Sequence, residues 1–242
     1  MAASMQAALA IRSRYDFVWT NVGDRNAQTG MVDGSRGYQI DTGYDYKYNG
    51  TSWRNTAVGL VPIMPTTVSG TGTSLGVGGQ VNLVNATSAQ INGIFTAEYD
   101  NYRIDINIPD SSAAFSVFLQ MCVGGTVDTT ATNYDLGAMS GTGASASAGQ
   151  ALAASSWNIG ASSLTARIMD MSLEMKRPFL AKPTQTIAFA SAGSNPMTSS
   201  ASVSTRIMNH RASTSYDGLY FSFAGGNPTG IIHIYGWNNG AK

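Results

Sequence analysis

Gly93-Ile94-Phe95-Thr96-Ala97-Glu98-Tyr99-Asp100-Asn101-Tyr102-Arg103-Ile104-Asp105-Ile106-Asn107-Ile108-Pro109-Asp110-Ser111-Ser112-Ala113-Ala114-Phe115-Ser116-Val117-Phe118-Leu119-Gln120-Met121-Cys122 is the stretch on which the fold class turns. Tyr102, Ile104, Ile106 and Ile108 fall on one face of an extended chain, and Arg103, Asp105 and Asn107 on the other. This period of two marks a strand with one buried face. Pro109 to Ser112 is turn chemistry, because proline presets φ and Asp and Ser bond the local backbone. Phe115, Val117, Leu119 and Met121 then alternate with Ser116, Phe118 and Gln120. The stretch predicts two long strands joined as a hairpin, with a second sheet needed to cover its apolar face.

Further short strands are expected within 164–179, 186–190, 202–208, 219–223 and 231–237, separated by Asn195-Pro196, Asp217-Gly218 and Gly225-Gly226-Asn227-Pro228. Many strands and frequent turns predict an all-β protein, an antiparallel β-sandwich of jelly-roll type. Ahead of the sandwich, Tyr38, Tyr44, Tyr46, Tyr48 and Trp53 crowd a small β-hairpin unit around the tight-turn pair Asn49-Gly50. So many rings exceed what one hairpin can bury, which predicts a covering partner for some of them. The expected domains are a helix over 1–15, the hairpin unit over 16–60, a linker over 61–79 rich in Pro, Ser, Thr and Gly, and the sandwich over 80–242. Within the sandwich, 139–156 is Ala-, Ser- and Gly-rich without a period, and reads as a long surface loop.

The N-terminal stretch is alanine-rich, with Met5, Leu9 and Ile11 on an apolar stripe. A helix this short does not persist alone in water, so it is either an anchor, on its own copies in a bundle or on a neighbouring protein, or a frayed terminus. It lacks the basic leading region of a secretory signal, and no run is long enough for a membrane helix. Synthesis in a cytoplasm without membrane insertion is therefore expected.

Charged residues make up 12% of the 242, and 14 basic residues balance 14 acidic ones, which leaves no cationic cluster for nucleic acid. Hydrophobic residues at 43% argue against disorder. The two histidines, His210 and His233, and the single Cys122 lie far apart and give no metal-ligand spacing. No nucleophile elbow or phosphate-binding glycine loop occurs, and neither Glu98 nor Glu174 is framed as a general acid. No catalytic residue, metal or cofactor is expected, and the chain does not read as an enzyme.

The segment from Asp24-Arg25-Asn26-Ala27 through Tyr48-Asn49-Gly50-Thr51-Ser52-Trp53-Arg54 resembles a small hairpin motif of tail-fibre and minor tail proteins of tailed bacteriophages. In those proteins the consensus ends Tyr-Asp-Gly-Ser-x-Trp. Ile91 to Tyr102 is similar to a recurring phrase that ends Tyr-Asp-Asn-Tyr, and Thr132-Asn133-Tyr134-Asp135 and Ile232-His233-Ile234-Tyr235-Gly236 resemble two more. The resemblance implies a structural virion surface protein, a small tail fibre, spike or minor tail protein. The alternatives are a capsid decoration or head-fibre protein, a carbohydrate-binding module without catalysis, and a capsule-degrading enzyme. It also implies a homotrimer, and Tyr44, Tyr46 and Trp53 are the residues expected in that interface. Met5, Leu9 and Ile11 are expected to dock on another virion protein or on their own copies. Tyr134 and Trp157, within the expected loop over 124–157, are the candidate platform for a host cell-surface polysaccharide, with burial of Trp157 as a core anchor the competing reading.

Overall fold

The computed structural model describes residues 15–40, 43–51, 53–56, 59–142, 145–162, 167–194 and 202–238. The helix expected over 1–15, with Met5, Leu9 and Ile11, lies outside them except for Tyr15. The chain divides into two compact units, Met1–Val61 with residues 238–242, and Pro62–Trp237.

The first unit holds strands β1 (Phe17–Trp19), β2 (Arg36–Gln39), β3 (Tyr44–Tyr48) and β4 (Trp53–Asn55), with one short helix, α1 (Val22–Asn26), between β1 and β2. The sheet order is β1-β2-β3-β4, parallel at the first pair and antiparallel after it. Asn21 caps α1 by accepting the Asp24 backbone N–H at 3.1 Å. The β3–β4 turn falls at Asn49-Gly50, where the Asn49 side chain accepts the Thr51 N–H. Trp19, Tyr46 and Trp53 form the core, with the two tryptophan rings edge-on at 4.6 Å. Gly37 makes room for them: a Cβ there would stand 1.9 Å from the Trp19 ring. The Arg25 guanidinium lies 4.4 Å over the Tyr46 ring.

The second unit follows β5 (Gly59–Pro62) at the junction. It contains β6 (Thr67–Ser69), β7 (Thr73–Leu75), β8 (Val81–Leu83), β9 (Ser88–Asn92), β10 (Asn101–Ser111), β11 (Phe115–Val123), β12 (Thr126–Val127), β13 (Tyr134–Thr142) and β14 (Ser145–Ala154). β15 (Trp157–Ser162), β16 (Arg167–Lys176), β17 (Thr184–Ser194), β18 (Ser202–His210), β19 (Gly218–Ala224) and β20 (Pro228–Asn238) complete it. A large antiparallel sheet runs β14-β13-β18-β17-β16-β10-β20-β8-β7, and a smaller one runs β12-β11-β19-β9-β6 with β15 beside β11. Together they form an antiparallel β-sandwich.

The central stretch forms its two strands but not a hairpin. β10 pairs with β16 and β20 in the large sheet, whereas β11 pairs with β19, β15 and β12 in the small one. The chain arches from one layer to the other. In a hairpin both apolar faces would point the same way and need a third element as cover. In the arch each strand contributes to one wall of a shared core: Ile104, Ile106 and Ile108 on one side, Val117, Leu119 and Met121 on the other, all essentially inaccessible to water.

Two further expectations are corrected. The stretch 61–79 is no linker, because β6 pairs with β9 and β7 with β8. The stretch 139–156 is no loop either. β13 and β14 pair along eight registered positions, and β13 also pairs with β18. The Ala-Ser-Gly composition hides the strands because small residues on both faces leave no alternation to read.

Candidate functional site

Antiparallel register aligns side chains in rows across the large sheet. On its outer face one row reads Met139, Thr205, Phe189, Ser172, Asp105, His233 from β13 to β20, and the next reads Gly141, Val203, Ser191, Asp170, Asn107, Ile231. A groove of about 790 Å3 crosses both rows. Its two halves differ in chemistry. Toward β20 the Arg103 Nε donates to both Asp105 oxygens, at 2.9 and 3.1 Å, and the Asn107 amide donates to Asp170 at 2.5 Å. Toward β13 the face carries Phe189, Val203 and Ile207, each more than half exposed, and Met139, which is 70% exposed.

This apolar half arises because two strands are inverted. In β17 the polar Thr184 and Thr186 are buried while Ile187 and Phe189 turn outward; in β18 Arg206 turns inward while Val203 and Ile207 turn outward. Among the described residues the hydroxyls of Thr184 and Thr186 find no hydrogen-bond partner. Arg206 donates to the backbone oxygen of Asn158 and, at 2.8 Å, to its side-chain oxygen, and burial lowers its pKa. Hydrophobic burial alone would have turned both strands the other way. A contiguous apolar patch on a sheet face is a mark of contact with something else. Phe189 offers a flat apolar ring, and Asp170, a diagonal neighbour about 8 Å away by sheet geometry, offers hydrogen-bond acceptors beside it. Such a surface suits a ligand ring with an apolar face and a hydroxyl rim.

Tyr134 and Trp157, proposed from the sequence as that platform, are both inaccessible to water. Trp157 is the core anchor of the competing reading. Its Nε1–H donates to the Asn209 backbone oxygen at 3.3 Å, and its ring meets Tyr134 edge-on at 5.2 Å. The Tyr134 hydroxyl accepts the Met121 N–H from the facing sheet and donates to the Asp128 backbone oxygen. His210, fully buried, lies edge-on to Tyr134 and Tyr216, and its Nε2 is 3.2 Å from an Asp128 oxygen at an angle short of a well-formed hydrogen bond. The Tyr216 hydroxyl donates to that same oxygen at 2.6 Å. Burial lowers the His210 pKa against the pull of the Asp128 carboxylate, and it raises those of Tyr134 and Tyr216. For Asp128 burial pushes upward, but hydrogen bonds from Tyr216, Thr130 and Asn133 outweigh it and bring the carboxyl down to about 2. The cluster is a polar seam that ties the segment after β12 to both sheets. No member of it faces the groove.

The expected trimer interface also changes. Tyr46 and Trp53 are buried in the core of their own unit, and Tyr44 packs against it half-buried. The hairpin reading lacked β1, which brings Phe17 and Trp19 onto the rings and covers them within the chain. Sequence reasoning missed Phe189 for a related reason. The alternation Thr184, Thr186, Ala188 against Ile187, Phe189 is visible, but a period of two cannot say which face turns inward. His233 lies on the face opposite its isoleucine neighbours: Ile232 and Ile234 are buried, and His233 lines the groove. Among the described residues no group of three or more His, Cys, Asp or Glu is placed to hold a metal.

No protein-family model matches the chain, and no curated protein sequence is significantly similar to it.

Proposed function

We propose that the chain is a structural protein of a tailed-phage particle, a small tail fibre, spike or minor tail protein displayed at the virion surface. The observation that carries this reading is the meeting in space of two phrases that resemble such proteins. The phrase ending at Tyr102 and the phrase Ile232 to Gly236 lie far apart in sequence. In the sandwich they are neighbouring strands, with Tyr102 opposite Gly236 and Ile104 opposite Ile234. A Cβ on Gly236 would stand 2.5 Å from the Tyr99 ring, so the glycine of one phrase is demanded by the tyrosine of the other. Residues that constrain one another in this way form one packed module, which supports the joint resemblance over a chance match of short words. Mass spectrometry of purified particles and electron microscopy with a labelled antibody test the reading. Label on the tail is expected; label on the head would favour a capsid decoration or head fibre, and absence from particles would reject both.

The groove favours an added contact with host-cell glycan, without catalysis. Phe189 supplies the apolar ring, and Asp170, Asn107 and Ser191 supply hydrogen bonds. Retention of the protein on host polysaccharide, lost in Phe189→Ala with an unchanged melting temperature, is the expected result. Shortening of the polysaccharide would instead mark a degrading enzyme.

A further inference from the structure

β14 is the outermost strand of the large sheet. From Ser145 to Ala153 every residue is exposed, and none is charged or proline. A long edge strand offers a row of unpaired backbone donors and acceptors, and proteins ordinarily blunt such an edge with lysine, proline or short length. The other edges of the two sheets are blunted by length. β7 and β6 have three residues each, β12 has two, β5, alongside β20, has four, and β15, alongside β11, has six. Among the described residues of this unit, the strand long enough to match the free ladder of β14 is β14 itself.

Two identical strands pair antiparallel about a two-fold axis perpendicular to the sheet, the isologous arrangement most common among homo-oligomers. The side chains permit it. Ala, Ser and Gly dominate β14, so nothing bulky blocks a second backbone at about 4.8 Å. The balance of 14 basic and 14 acidic residues leaves no net repulsion between copies. The free ladder ends where Ala153 takes positive φ and its N–H turns to Asp135 at 3.1 Å. We propose that two copies of this chain pair antiparallel through β14, so that their large sheets become one continuous sheet. Because the axis is perpendicular to the sheet, both outer faces lie on the same side. The apolar ends of the two grooves then meet at the seam through Met139 and its β14 neighbour Ala148. This pairing does not depend on the virion reading and stands or falls separately from it.

Light scattering on the full chain over a concentration series is the direct test, with a dimer expected at tens of micromolar. Ala148→Lys with Gln150→Lys sets like charges facing across the seam, on positions already exposed. The variant should run as a monomer with an unchanged melting temperature. In separate chains, Ala148→Cys, Gly149→Cys and Gln150→Cys place a thiol near the two-fold axis, where paired Cα atoms come within disulfide reach. At least one should oxidise to a covalent dimer, while the native Cys122 is buried and stays unlinked. A wild-type monomer at these concentrations or a trimer would overturn the proposal, as would a dimer that tolerates the lysines and yields no cross-link.

Discussion

Strands β10 and β11 and strands β13 and β14 are each consecutive in the chain, and they hold their places by different means. β10 and β11 part into separate sheets and bury one face each over most of their length, so their stability comes from side chains removed from water. β13 and β14 stay together as a hairpin, and β14 is exposed on both faces. What holds β14 is the backbone ladder to β13, and what holds β13 is its pairing with β18 and the buried Tyr134. The first pair is specified by its own alternation; the second is specified by the edge that its neighbour offers.

The place where these two regimes join should be the most sensitive in the unit. Trp157 sits there, inaccessible to water, at the end of the exposed hairpin and on the wall of the core. Trp157→Ala is expected to cost about 3–5 kcal/mol in denaturant unfolding. A loss below about 1 kcal/mol would mean that the exposed end is not anchored by this ring. Since the indole does not reach the groove, binding to polysaccharide by the fraction that remains folded should be unchanged.

A smaller loss tests the covered end. Gly236→Ala drives a methyl group toward the Tyr99 ring and should cost about 1–3 kcal/mol by overpacking. In a Tyr99→Ala background the same change should cost far less, because the obstructing ring is gone. Additive losses in the two backgrounds would show that the glycine is not held by the tyrosine.

The sequence made the covered end legible and left the exposed end dark, for one reason. Ile104 to Ile108 and Val117 to Met121 alternate because a sandwich wall must be apolar inward, so strand and phase could be read together. That β10 and β11 separate into two sheets could not be read, since an arch and a hairpin demand the same alternation and differ only in which partners lie beside each strand. In β14 no face is buried, so no residue type is demanded and the strand passes for a loop. In β17 the alternation is plain but its sense is inverted, which is why Phe189 escaped notice while Tyr134 and Trp157, aromatic and near small polar residues, drew attention. In the first unit, aromatic crowding was correctly seen; Phe17 and Trp19 supply its cover from within the chain.

Proton linkage separates the anchor from the sheet around it. His210 is held neutral by burial, with the Asp128 carboxylate the charged group facing it and Tyr134, Tyr216 and Trp157 around the ring. Its folded pKa lies below the ordinary value of 6.5, so below that pH the unfolded chain takes up a proton that the folded chain refuses. Stability is therefore intact above about pH 6.5 and falls as the pH drops through it, with a slope of at most about 1.4 kcal/mol per pH unit for this one group. Asp128 acts in a separate window, its contribution lost as pH falls from about 4 toward 2. In His210→Phe the slope just below about pH 6.5 should flatten while the acid limb persists. Thermal melts across pH check this, and an unchanged slope in the variant would place the titrating group elsewhere.

The smallest expected effect asks whether β14 is a strand in its own right. Gly149 lies mid-strand with a φ that any residue can adopt, and a Cβ there would meet nothing within 4 Å. Glycine inside a strand weakens it through backbone entropy, and β-branched residues favour the pleated geometry. In the Ala148→Lys, Gln150→Lys background, which removes pairing between copies, Gly149→Val should therefore raise stability by about 0.5–1 kcal/mol. Gly124 provides the contrast. Its φ is 56°, and its surroundings are also open. Gly124→Val should destabilise, because the strain comes from backbone conformation alone. Opposite shifts at two exposed glycines, with no side-chain contact changed at either, would trace both effects to backbone conformation. If Gly149→Val instead leaves the melting temperature unmoved or lowers it, the ladder between β13 and β14 contributes little to the fold, and the stretch behaves as the loop its composition suggests.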